Sequence, residues 1–98
     1  MRNIEQKVCA AFVCKERAAQ GNTMTDGERL YLHGNLIAWH EGDQIMGTLA
    51  GWNTPTTRSR LNAVVSLSAS GKQGFTQKDF EPYFDGAKIN DVSVVRIA

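Results

Sequence analysis

Five consecutive residues, Thr56-Thr57-Arg58-Ser59-Arg60, bring three hydroxyls and two guanidinium groups to the start of a helical pattern. Hydroxyls, guanidinium groups and the free backbone N–H groups of a helix start are the donors that grip an anion such as a phosphate. The same composition also serves as a plain helix cap followed by solvated or ion-paired arginines. Positive character continues beyond it: no Asp or Glu occurs between Asp43 and Asp79, whereas Arg58, Arg60, Lys72 and Lys78 all lie inside that window.

Aromatic residues form the second candidate set. Tyr31, Trp39, Trp52 and Tyr83 offer π-faces on which bases stack, although aromatics on strands more often fill a core, and Trp39 is expected to do so. Trp52 adjoins a Gly51-Trp52-Asn53 loop, so it is the better candidate for an exposed anchor in a protein interface, where Trp and Arg are frequent.

The remaining chemistry-bearing residues lack the spacing of a site. His33, and His40-Glu41-Gly42-Asp43, contain ligand-type side chains, but there is no HExxH or CxxC, so neither a metal nor a cofactor is expected. Cys9 and Cys14 are five apart on an expected helix, about 140° around its axis. They point to different sides, stay reduced, and read as small apolar fillers rather than as the nucleophile of a Cys–His pair. No P-loop, GxGxxG or GxSxG occurs, and Gly71-Lys72-Gln73-Gly74 is a flexible loop. Nothing here marks an enzyme.

The elements that must position these residues follow from periodicity. Ile4, Val8, Ala11, Phe12 and Ala19 recur at helical spacing, with Asn3 as N-cap, Gln6 at the capping-box position and Gly21 as stop, which predicts a helix over 4–20. The turn-formers Asp26-Gly27, Gly34-Asn35 and Glu41-Gly42-Asp43 then divide β-favouring stretches into an antiparallel meander with strands near 22–25, 29–33, 36–40 and 44–50. Ile37 and Trp39 share one face of it by period 2. Pro55 forces an extended approach, Thr56 or Thr57 caps a second helix, and Leu61, Val64, Val65 and Ser68 form its face before Ser70-Gly71 ends it. Phe75–Phe80, Tyr83-Phe84 and the β-branched run Val92–Ile97 supply C-terminal strands, with Pro82 confined to an edge or bend. The order is that of an α+β fold: N-terminal helix, antiparallel β-meander, second helix and short C-terminal strands, packed as a single domain over residues 1–98.

Length and charge bound the rest. At 98 residues the chain has room for one core, and so small a domain buries only about 60–65% of its unfolded surface, which makes a homodimer a compatible state. Eleven Lys plus Arg against ten Asp plus Glu give a formal net charge of +1, which by itself selects no polyanion. The opening Met1-Arg2-Asn3-Ile4-Glu5-Gln6-Lys7 lacks the apolar run of a signal peptide, and no stretch approaches the ~20 apolar residues of a membrane span, so a cytoplasmic protein is expected.

Leu30-Tyr31-Leu32-His33-Gly34-Asn35-Leu36-Ile37-Ala38, then Ala50-Gly51-Trp52 running into Thr56-Thr57-Arg58-Ser59-Arg60-Leu61-Asn62, then Tyr83-Phe84-Asp85-Gly86, make a recognisable series. It resembles small accessory proteins of tailed bacteriophages and prophages that carry a "LYLHGNxIA" strand pair, an "AGWxTxTTRxRLN" segment and a late "YLNG" hairpin. The resemblance runs over roughly residues 28–90, leaves the first helix outside, and departs at Phe84-Asp85, where the group has Leu-Asn. It implies a phage origin, a host-cytoplasm setting and no catalytic residues. By association it favours an accessory protein that binds a host protein, such as an inhibitor of a host factor or defence system. The binding surface expected from the residues is Trp52 with the start of the second helix, Thr56, Thr57, Arg58 and Arg60, extended by Lys72 and Lys78. A nucleic acid or nucleotide held by the same basic residues is the alternative.

Overall fold

The computed structural model describes residues 2–69 and 71–98. Its first helix, α1, runs as a wide π-type segment Glu5–Cys9 and continues α-helically over Ala10–Val13. Asn3 does not cap it. The Arg2 carbonyl accepts the first helical bond, from the Gln6 N–H at 2.9 Å, and the Glu5 carboxylate reaches back to the Arg2 N–H at 3.1 Å. Glu5 thus plays the part expected of Gln6 in the capping box.

The helix also stops seven residues short of the expected Gln20, at Val13. Lys15 takes a left-handed backbone (φ 59°), its N–H bonds the Phe12 carbonyl at 3.0 Å, and the Glu16 N–H bonds the Ala11 carbonyl at 2.7 Å. Those two bonds make a Schellman stop, with Lys15 where Gly is usual. Ala18–Gln20 is released to form strand β1, which pairs antiparallel with β2 at Thr23–Thr25. Helix propensity of the Ala-rich segment is a weak local preference, and a ladder on the sheet edge overrides it.

The meander follows as β3 (Arg29–Leu32), β4 (Asn35–Glu41) and β5 (Gln44–Gly47), each antiparallel to the one before. His33 and Gly34, both at positive φ, are the central pair of the β3–β4 turn, one residue earlier than Gly34-Asn35. In β4 the register slips: Leu30 faces Ala38 but Tyr31 faces Leu36, leaving Ile37 as an extra residue. This bulge lets Ile37 and Ala38 both turn inward and swings Trp39 out to the opposite face, half-buried, instead of into the core. The β-branched C-terminal run yields only β9 (Val95–Arg96), which joins β5 and completes a six-stranded sheet in the order β1-β2-β3-β4-β5-β9.

Helix α2 (Pro55–Ser68) is capped by Thr54, whose hydroxyl accepts the Thr57 N–H at 3.2 Å, with Pro55 in the first turn. Neither Thr56 nor Thr57 is the cap, because Pro55 lacks only an N–H that is free at a helix start anyway. Ala69 follows as the C-cap; Ser70, half of the expected stop, lies outside the described residues. Beyond it β6 (Phe75–Lys78), β7 (Glu81–Phe84) and β8 (Ala87–Lys88) form a separate three-stranded sheet. Pro82 sits in the middle strand of that sheet rather than at an edge. Its carbonyl accepts from Ile89 at 3.0 Å just past the end of β8, so the N–H it lacks falls beyond the last pair of that ladder, and β8 stops there.

One buried cluster joins the layers: Val8, Cys9 and Phe12 of α1, Leu30, Leu32, Ile37 and Ile45 of the large sheet, Leu61 and Val64 of α2, and Phe75 and Phe84 of the small sheet. Asn62 bolts α2 to β6, its side-chain amide accepting the Phe75 N–H at 2.7 Å and donating to the Phe75 carbonyl at 2.9 Å. Among the described residues no helix is long and apolar enough to cross a membrane.

Candidate functional site

The start of α2 does not gather its donors into one anion site. Thr57 is buried and its hydroxyl lies 2.9 Å from that of Thr54, so both belong to the cap. Arg58 is half-buried and its guanidinium bonds the Asn53 side-chain carbonyl and that of Gln77, the latter at 3.0 Å. Asn53 also donates to Gln77 at 3.0 Å, which ties the loop before α2 to the β6–β7 hairpin.

Arg60 leaves the surface altogether. Its guanidinium is 2.9 Å from the Glu5 carboxylate, both side chains are 4% exposed, and its Nε donates to the Thr23 hydroxyl at 3.0 Å. The Ser59 hydroxyl donates to the same carboxylate. Burial alone would raise the pKa of Glu5, but the bonds from Ser59, the Arg2 N–H and Arg60 hold it below the usual glutamate value. Arg60 is therefore a structural cation with its charge already answered. Cys9 lies against this network, its thiol 3.6 Å from the Arg60 carbonyl, and burial, with the nearby Glu5 charge, pushes its pKa up to about 12. Cys14, on the other side of the stop, is exposed.

What the α2 start does build is an apolar cleft. A cavity of about 370 Å³ opens between the β3–β4 hairpin and the first turn of α2, with Leu32 and Ile37 along one side, Thr54 and Thr56 along the other, and Trp52 at the rim. The indole of Trp52 is 57% exposed. Its loop is nevertheless fixed: the Gly51 N–H bonds the Asp91 carbonyl at 2.7 Å, the Trp52 N–H bonds Leu49 at 2.9 Å, and Ala50 and Gly51 take positive φ to make the reversal.

A second exposed aromatic escaped the sequence reading. The Phe75–Phe80 stretch ends as a strand at Lys78, because Lys78 pairs with Glu81 and leaves Asp79 and Phe80 as a two-residue turn. Both take positive φ (53° and 64°), and Phe80 is 89% exposed. The signal was present in the two halves of the hairpin, since Phe75 can face Phe84 only if two residues are left between Lys78 and Glu81.

The other expected site residues scatter. Lys72 lies 5.7 Å from the Phe84 ring centre and donates to the Arg96 carbonyl at 3.2 Å, while Lys78 is exposed beside the Asp79-Phe80 turn. Trp52, Thr56 and Arg58 stay together near the cleft; Thr57 and Arg60 turn inside. His40 faces inward, its Nε2 2.7 Å from the Phe12 carbonyl and its ring tilted by 37° against that of Phe12 with centroids 4.6 Å apart, and among the described residues no His, Cys, Asp or Glu group is arranged to hold a metal ion.

No curated protein and no solved structure matches the chain. A family model does, over residues 1–95, so that α1, which the residue-level resemblance had left out, is included in the match. The resemblance to small phage proteins in the strand pair, the Trp52 loop and the α2 start is thereby placed in a family, and the chain belongs to the Kyanoviridae Gp96 proteins, a group of bacteriophage origin.

Proposed function

We propose that this phage protein is a non-enzymatic accessory protein that binds a protein of the infected cell through the cleft beside Trp52. One observation carries the reading: a large indole stands mostly in water on a rigid loop at the rim of an apolar cavity. A Trp held this way leaves more than half of its surface in water and is preorganised to bury its ring against a partner at little entropic cost. The cavity would take an apolar side chain from that partner. Phe80 supports the same surface, since it is a bare aromatic on a hairpin that Asn53 and Gln77 bond to the Trp52 loop. The basic start of α2 gives less support to a nucleic-acid reading, because Arg60 is neutralised in the interior and Arg58 is occupied by two amide carbonyls. The setting implied is the host cytoplasm.

The test is affinity capture from host lysate with wild-type protein and with Trp52→Ser, followed by calorimetry on the captured protein once purified. A specific protein should be retained by the wild type, and Trp52→Ser should weaken it by at least ~30-fold, the loss of a hot-spot aromatic. No specific capture by folded wild-type protein, or equal affinity of the variant, overturns the reading.

A further inference from the structure

Both helices pack on one face of the six-stranded sheet, against the inward side chains Leu30, Leu32, Ile37 and Ile45. Register places a different set on the other face. Met24, Tyr31 and Leu36 form one row across β2, β3 and β4, and Arg29, Trp39, Met46 and Arg96 form the next across β3, β4, β5 and β9. Met24 is 47% and Leu36 36% exposed, while Tyr31, Trp39 and Met46 are half-buried. The β4 bulge spreads Leu36 and Trp39 apart and opens a shallow recess of about 320 Å³ walled by Arg29, Leu36 and Trp39, with Glu28 and His40 also at its edge.

From this juxtaposition we infer that the open sheet face is a platform for single-stranded nucleic acid, with Tyr31 and Trp39 stacking bases and Arg29 and Arg96 meeting phosphates. Antiparallel sheets that leave one face to solvent normally cover it with polar side chains, and an aromatic pair flanked by cations is instead the surface on which unpaired bases stack. Charge favours this occupant over a second copy of the chain. Arginines stand at both ends of the Trp39 row, so a twofold partner laid along that row would set Arg29 against Arg96, whereas a polyanion is attracted at both ends. The carboxylates nearby are Asp26, Glu28 and Glu41, with Glu28 at the edge of the recess, so the attraction rests on the two arginines at the row ends. Asp26 pairs with Arg29 at 3.3 Å, but the pair is exposed and easily exchanged, and Glu41 lies beyond the two rows. The site lies on a different surface from the Trp52 cleft and does not depend on it.

The experiment is fluorescence anisotropy of end-labelled oligo(dT) and oligo(U) with the full chain at low and moderate salt. Binding by the wild type is expected, weaker as salt rises, with Tyr31→Ala and Trp39→Ala each losing roughly 5- to 150-fold in affinity and Tyr31→Phe retaining it. Arg29→Gln combined with Arg96→Gln should flatten the slope of log K against log salt by ~1.4, two single-strand phosphate contacts. Trp52→Ser should bind as wild type, so that failure here and failure of the cleft reading are separate results. Should Trp39→Ala not fold, Tyr31→Ala and the arginine pair carry the test. The inference is overturned if wild-type protein binds neither oligonucleotide at low salt, if Tyr31→Ala binds equally well, or if sedimentation shows a dimer that Tyr31→Ala converts to monomer.

Discussion

Arg60 of α2 and Glu5 of α1 form an ion pair at 2.9 Å with both side chains 4% exposed, 55 residues apart in the chain. The pair is fully answered: Arg2 and Ser59 donate to the carboxylate, and Thr23 and Asn22 accept from the guanidinium. It joins α1, α2 and β2, and so fixes the two helices on the sheet. Removing one partner strands a buried charge, so Arg60→Ala should cost about 3–5 kcal/mol, a large part of the stability of a domain this small. Replacing both, Glu5→Leu with Arg60→Met, should cost much less, because the desolvation of two ions disappears along with their attraction. Chemical denaturation of the two single variants and the double variant measures this. A double variant as unstable as Arg60→Ala would contradict it.

The same pair sets a pH limit. Glu5 titrates below its ordinary value in the fold, so the folded state holds its proton less tightly than the unfolded chain does. Its contribution is therefore present in full above the unfolded glutamate pKa of about 4.3, and is lost as the pH falls through the lower folded value. Glu5→Gln should flatten the acid limb of the stability curve in thermal melts followed from neutral pH downwards. An acid limb unchanged by that variant would assign the acid sensitivity to other carboxylates.

The two cysteines should separate cleanly in a thiol titration. Cys9 is buried with its pKa raised to about 12, so the reactive thiolate is almost absent at neutral pH, whereas Cys14 is exposed. Native protein should react once with a disulfide reagent, and Cys14→Ser should remove that reaction until denaturant exposes Cys9. Fast reaction of Cys14→Ser under native conditions would show that α1 opens readily.

Asn62 is a further test of the scaffold, because its amide satisfies both the N–H and the carbonyl of Phe75 at the start of β6. Alanine there leaves a donor and an acceptor without their partner and should cost about 1–3 kcal/mol. Asn62→Asp keeps the acceptor but sets a carboxylate oxygen against the Phe75 carbonyl, acceptor facing acceptor, so it should be no more stable than the alanine variant. Urea midpoints of the three proteins decide the order.

These residues show what the sequence made legible and what it hid. Turn chemistry at Asp26-Gly27 was readable because it depends on residues next to one another, whereas the α2 cap fell on Thr54, two or three residues before the expected Thr56 or Thr57. The length of α1 was not readable, since Ala18–Gln20 is as good a helix former as a strand and only the neighbour β2, at Thr23–Thr25, decides between them. Period 2 placed Trp39 with Ile37; the bulge that separates them is set by pairing with β3 and leaves no local signature. Arg58 and Arg60 read as one cationic pair, although two residues apart on a helix is about 200° around the axis, which sends one to the interior and one outward. The composition of that segment could be read along the chain, whereas the direction each side chain takes is set by the helix and its packing.

The Asp79-Phe80 turn sets stability against binding. Both residues sit at positive φ, a backbone that suits Asn-Gly and that costs an L-residue with a bulky side chain about 1–2 kcal/mol. Phe80 recovers none of that by packing, since it is 89% exposed. Phe80→Gly should therefore raise stability by about 1 kcal/mol, or roughly 4–8 °C in Tm for a domain of this size. If the ring is kept for a partner on the Trp52 side of the molecule, the same substitution should weaken capture of that partner while the fold improves. A calorimetric Tm that rises with partner affinity unchanged would confine the interface to the Trp52 cleft; a Tm that falls would mean that the exposed ring is held by contacts within its own hairpin.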